Sequence, residues 1–180
     1  MEKISNSSLT NSNEEEFVIT RVFNAPREVV FKAWTEPEHL AQWWGPKGFT
    51  MIALKIDLRP GGIFHYHMKS PTGNDMWGRF VYRKIVIPER LEFIVSFSDE
   101  HGGITRHPLS PTWPLEMLNI VTFTESEGKT TITLRGEPFN ATEEERKTYY
   151  AGMEGMEAGF GATMDQLDEY LTTMMKGNTK

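Results

Sequence analysis

Two histidines, His65 and His67, stand two residues apart in an apolar segment, so on a strand they share one face. Such a pair can begin a metal site when a third ligand joins it, but no carboxylate or further histidine has motif spacing to them. They are read as solvated surface histidines, and no metal or other cofactor is expected. His101, Arg106 and His107 gather in one loop-like stretch, where a general acid or base could serve the mouth of a pocket. Neither a nucleophile nor a carboxylate is placed to work with them. Asp57, Arg59 and Arg79 read as ion pairs at strand ends, worth little when exposed. The turn Pro60-Gly61-Gly62 lacks the Lys-Ser/Thr ending and following helix of a phosphate loop, and no Ser-His-Asp order with an elbow motif appears. The chain has no cysteine, which excludes disulfides, thiol nucleophiles and cysteinate metal sites. No catalytic residue is assigned.

Phe17–Phe23 alternates apolar with polar residues and predicts a strand. Asn24-Ala25-Pro26-Arg27-Glu28 predicts a helix start with Pro26 in its first turn, and Val29, Val30, Ala33 and Trp34 form the apolar stripe. Thr35-Glu36-Pro37-Glu38 matches a capping box, predicting a second short helix over about 36–43 that Gly45-Pro46 stops. Strands are then predicted over 50–58, 63–69, 76–86, 91–97, 116–124 and 130–135. Turns as short as Arg59-Pro60-Gly61-Gly62 and Glu127-Gly128-Lys129 join antiparallel neighbours, so the sheet should be a meander. Residues 98–114 form the one long irregular stretch.

Thr142-Glu143-Glu144-Glu145 is another capping box, and the helix it opens should run to about Met175. Tyr149, Met153, Met156, Phe160, Met164, Leu167 and Leu171 make one continuous apolar stripe along it. Gly152, Gly155, Gly159 and Gly161 interrupt the helix at a cost of ~1 kcal/mol each relative to Ala. They imply either close backbone approach or space left for something else.

At 180 residues one domain is expected, long enough to bury a core without staples. The net charge of -6 and the absence of a Lys/Arg run argue against a nucleic-acid partner. No apolar run approaches the ~18–20 residues that span a bilayer, so no membrane partner is expected. Residues 1–16, rich in Ser, Asn and Glu, lack the pattern of a signal peptide and read as a disordered tail. The domain is placed over 17–175, a short tail over 176–180, and the protein in the cytoplasm.

This order of elements, with Phe23-Asn24-Ala25-Pro26, Ala33-Trp34-Thr35-Glu36-Pro37-Glu38, Trp43-Trp44-Gly45-Pro46, Arg59-Pro60-Gly61-Gly62 and Pro88-Glu89-Arg90-Leu91, resembles the START/Bet v 1-like superfamily, also called SRPBCC. Within it the chain resembles the family named for the C-terminal domain of the activator of the Hsp90 ATPase, over about residues 17–172. Gly159-Phe160 stands where many relatives carry Gly-Trp. The resemblance implies an α+β helix-grip fold: a curved antiparallel sheet of six to seven strands wrapped around a long C-terminal helix, with two short helices after the first strand. It also implies a cavity between sheet and helix. The eukaryotic activator has a separate N-terminal domain; only sixteen residues precede the first strand here, so co-chaperone activity is not expected.

Strand alternation puts Phe64, Tyr66, Met68, Phe80, Tyr82, Phe93, Phe97, Val121 and Phe123 on the concave face. Trp43, Trp44, Phe49, Met153, Met156 and Phe160 are expected to close the cavity. Trp113, between Pro111 and Pro114, either covers it or plugs the sheet edge. About half of these side chains should be ordinary core. The expected function is binding of a lipid-like or polyketide-like hydrophobic small molecule. Two alternatives stand beside it: a cyclase or hydratase using pocket groups such as Tyr66 and Tyr82, and an Hsp90-related protein-interaction module.

Overall fold

The structure, a computed structural model, describes residues 16–177. The tails expected over 1–16 and 176–180 lie outside it, apart from Glu16 and the Lys176-Gly177 that end the last helix. The elements are β1 (Phe17–Phe23), α1 (Arg27–Thr35), α2 (Pro37–Trp43), β2 (Thr50–Ile56), β3 (Ile63–Lys69) and β4 (Asp75–Val86). They continue with β5 (Arg90–Ser98), β6 (Ile104–Thr105), β7 (Glu116–Ser126), β8 (Lys129–Phe139), α3 (Glu143–Ala151) and α4 (Met153–Gly177).

Seven strands follow one antiparallel path, β1-β8-β7-β5-β4-β3-β2, and the two-residue β6 pairs with β5 from inside the irregular stretch. Short turns set the run from β2 to β5 and the β7-β8 hairpin, while β1 joins β8 from the opposite end of the domain. At Glu127-Gly128 both residues have positive φ, 53° and 74°, so a two-residue turn pairs Ser126 with Lys129. Register shifts between Met51 and Ala53 and between Tyr82 and Lys84 add local twist, and the sheet curves around the C-terminal helix.

The two short helices close one end of the concave face. Phe31 and Trp34 of α1 meet Phe123 of β7 edge-on, at 5.1 and 6.1 Å between ring centroids. The Trp43 indole donates to the Ala33 carbonyl at 2.9 Å, which locks α2 against α1. The capping box expected at Thr35 does not form. Thr35 is the last residue of α1, and its hydroxyl already donates to the Phe31 carbonyl at 2.9 Å; Glu36 takes the N-cap position without a side-chain bond.

The second capping box does form: Thr142 Oγ1 accepts from the Glu145 N–H at 3.1 Å, and the Glu145 carboxylate accepts from the Thr142 N–H. The helix it opens is not continuous. It stops at Ala151, and after Gly152 a 25-residue helix, about 37 Å long, crosses the concave face. The C-terminal half of α4 is anchored there. Thr163 Oγ1 and the Gln166 amide donate to the Gly45 carbonyl, Arg21 pairs with Asp165, and Met164, Leu167 and Leu171 are buried.

Candidate binding cavity

Burial along β5 marks where the core ends. Leu91 and Phe93 are buried on the concave face, whereas Val95 and Phe97, on the same face further along, are only half-buried. The stripe of the C-terminal helices shows the same step, with Met153, Met156 and Phe160 half-buried and Met164, Leu167 and Leu171 buried. Between these two half-buried rows lie two adjoining hollows of about 390 and 380 Å³. They share Val95, Phe97, Asn119, Met156 and Phe160 as a common wall, so they are two halves of one groove.

The first hollow lies beside the break between α3 and α4. Its further lining includes Phe17, His107, Trp113, Met117, Tyr149 and Gly152. Phe160 reaches across to Phe17 at 5.7 Å between ring centroids. Trp113 packs on Tyr149 at 5.5 Å. The second hollow lies toward the helix pair and is lined by Trp44, Tyr66, Met68, Met76, Phe80 and Thr163, among others. Gly78 makes room for one of these walls: a Cβ there would stand 2.3 Å from the Tyr66 hydroxyl.

Besides Thr163, whose hydroxyl donates to the Gly45 carbonyl, four polar side chains interrupt this apolar surface. Burial pushes the Tyr66 hydroxyl up to about 12, an effect the Trp44 indole N–H partly offsets. That N–H does not reach hydrogen-bond geometry and is left without a partner. Burial likewise pushes the Tyr149 hydroxyl upward, so both phenols stay protonated near neutral pH. Asn119 projects from β7 into the shared wall. The half-buried His107 ring accepts the Leu109 N–H through Nδ1 at 3.0 Å, so a neutral ring carries its proton on Nε2. Burial holds the His107 imidazole below its ordinary range. None of these groups is coupled to a nucleophile, and among the described residues no cluster of three His, Asp or Glu could hold a metal ion.

The residues expected to line a cavity divide between groove and core. Trp44, Tyr66, Met68, Phe80, Phe97, Trp113, Met156 and Phe160 line the groove. Trp43, Phe64, Tyr82, Phe93, Val121 and Phe123 are buried and border neither hollow, because α1 and α2 fill that end of the sheet. Phe49 and Met153 pack against the core from its edge. Of Tyr66 and Tyr82, only Tyr66 therefore borders the groove. His65 and His67 lie on the other face, where both stack on Trp77; His67 also pairs with Asp75 at 2.8 Å.

Several lining residues escaped sequence reasoning. Asn119 has the same parity as Val121 and Phe123, and a polar side chain at an inward position was a readable signal. Val95 shares the parity of Phe93 and Phe97 in the same way. Phe17, Met117 and Tyr149 carried no mark separating them from core.

A curved sheet gripping a helix, with an apolar groove left between them, defines a helix-grip protein. The chain belongs to the family described as Activator of Hsp90 ATPase homolog 1-like protein, whose model matches residues 24–172. Solved structures share the fold. A protein from Arthrobacter aurescens is 29% identical, with 88% of this chain and 86% of that one covered and a TM-score of 0.71. Protein Ms6760 from Mycobacterium smegmatis is 28% identical over 86% of this chain and 88% of that one, with a TM-score of 0.68. Protein NE0264 from Nitrosomonas europaea is 24% identical over 89% and 96%, with a TM-score of 0.70. No curated protein matches the chain.

Proposed function

We propose that this protein binds a predominantly apolar small molecule in the groove between β5, β7 and the first half of α4. One observation carries the reading: Val95, Phe97, Met156 and Phe160 stand half-buried around a void while their neighbours on the same faces are buried. Apolar surface left open inside a fold favours an apolar occupant, at roughly 25 cal/mol per Å² covered. A mostly apolar concave lining with a few convergent polar groups is the usual character of a small-molecule site.

A binding module accounts for these features better than an enzyme, since of Tyr66 and Tyr82 only Tyr66 borders the groove and no nucleophile meets a base. The reading treats 17–175 as one domain. It places the protein in the cytoplasm, in keeping with a chain that has no cysteine. Among the described residues no helix is long and apolar enough to cross a membrane.

Titration with the neutral fluorophore N-phenyl-1-naphthylamine tests the proposal. Saturable one-to-one enhancement is expected, weakened about tenfold by Phe160→Trp, which enlarges the wall shared by both hollows. An enhancement that does not saturate, or one indifferent to the filled groove, would remove the reading.

A further inference from the structure

The first hollow contains two buried polar side chains without partners. Asn119 is 7% exposed and Tyr149 is 1% exposed, and both line this hollow. Among the described residues, neither side chain makes a hydrogen bond. They converge on Gly136 of β8: a Cβ there would stand 2.7 Å from the Tyr149 hydroxyl and 2.9 Å from Asn119 Oδ1. Neither group is among the side-chain atoms sealed from solvent without a partner, so both open onto the hollow and offer their hydrogen bonds to what enters it.

We infer that Tyr149 and Asn119 form a subsite for an uncharged oxygen function, a carbonyl or hydroxyl, carried on an aromatic or alicyclic body. The inference rests on the binding reading above and adds the ligand's polar end. A ligand hydroxyl can accept from the Tyr149 hydroxyl and donate to Asn119 Oδ1, and a carbonyl can accept from both once the Asn119 amide is turned to present its NH2. The group is uncharged because neither a lysine or arginine nor an aspartate or glutamate lines this hollow, and an ion of either sign among Phe17, Trp113 and Met117 would lose its hydration without a counter-charge. At ~30 Å³ per water-sized group the first hollow, about 390 Å³, holds roughly a dozen non-hydrogen atoms, and a longer body continues into the second hollow.

Naphthalene, 2-naphthol and 2-naphthoate share one ring system and differ only in the polar end. Equilibrium dialysis against the full chain at neutral pH should give 2-naphthol about five- to tenfold tighter binding than naphthalene, and 2-naphthoate the weakest of the three. Tyr149→Phe deletes only the hydroxyl and should bring naphthol within about twofold of naphthalene measured on the same variant. If that variant does not fold, the wild-type order of the three ligands decides. Equal binding of naphthalene and naphthol by the wild type, or a preference that survives in Tyr149→Phe, overturns the subsite and leaves the groove reading intact. Binding of none of the three, together with failure of the N-phenyl-1-naphthylamine titration, overturns both.

Discussion

The indole of Trp113 occupies the notch where the C-terminal helix breaks: a Cβ at Gly152 would stand 3.1 Å from Trp113 Cζ3. Trp113 reaches this place from the irregular stretch, steadied by Arg106, which donates to its carbonyl at 3.2 Å and pairs with Glu145 at 3.1 Å. The break and the indole therefore define each other, and together they shape one end of the groove.

Gly152→Val should drive a branched side chain into that ring and cost about 1–3 kcal/mol in urea unfolding. In a Trp113→Ala background the same substitution should cost under about 0.5 kcal/mol, because the obstacle is gone. Equal costs in both backgrounds would detach the helix break from Trp113.

The other glycines of the helix behave differently. No atom lies within 4 Å of a Cβ built at Gly155, Gly159 or Gly161, so close packing does not explain them. Alanine at each position should stabilise the protein by about 0.5–1 kcal/mol, since only helix propensity changes. A loss of stability at Gly161, which borders neither hollow, would contradict the open space seen there.

Position along α4 should outweigh side-chain size. Leu167 is 0% exposed, and Leu167→Ala should cost about 2–5 kcal/mol. Phe160, larger but half-buried over the groove, should cost less when replaced by alanine, and the enlarged void should admit bulkier probes. Paired urea curves and a titration with the larger ligand check both statements.

His107 should make stability pH-dependent. Burial favours its neutral form, so its folded pKa lies below the unfolded value of roughly 6.5. Above that value neither state is protonated and the group contributes no penalty. As pH falls through it, the unfolded chain takes up a proton that the folded chain resists, and stability declines. Between pH 7.5 and 5.5, His107→Gln should lose less stability than the wild type; identical losses would show that the ring titrates freely.

The strands and their hairpin neighbours were legible because alternation and short turns are local signals, as at Glu127-Gly128, whereas the pairing of β1 with β8 joins opposite ends of the domain and was not. The capping box at Thr142 was legible for the same reason. The box at Thr35 misled because a hydroxyl ending one helix can bond backward to Phe31 instead of forward. Alternation identified the concave face but not its division into core and groove, which depends on distant side chains such as Phe31 and Trp34 of α1 packing over Phe123. The helix break depends on Trp113, distant in sequence, and no residue near Gly152 announces it. Asn119 was within reach of the parity argument, yet attention to aromatic residues passed it over.

The unequal anchoring of α4 has a consequence for traffic through the groove. From Thr163 onward the helix is tied to α2 and β1 by hydrogen bonds and an ion pair, while its first two turns, with glycines at 155 and 159, rest on the sheet only through half-buried side chains such as Met156 and Phe160. Local unwinding of those turns would expose the groove without disturbing the sheet, so amide protons over 153–161 should exchange with deuterium faster than those over 164–171. The wall that covers the ligand then serves as its doorway, and neither domain movement nor a separate lid is required.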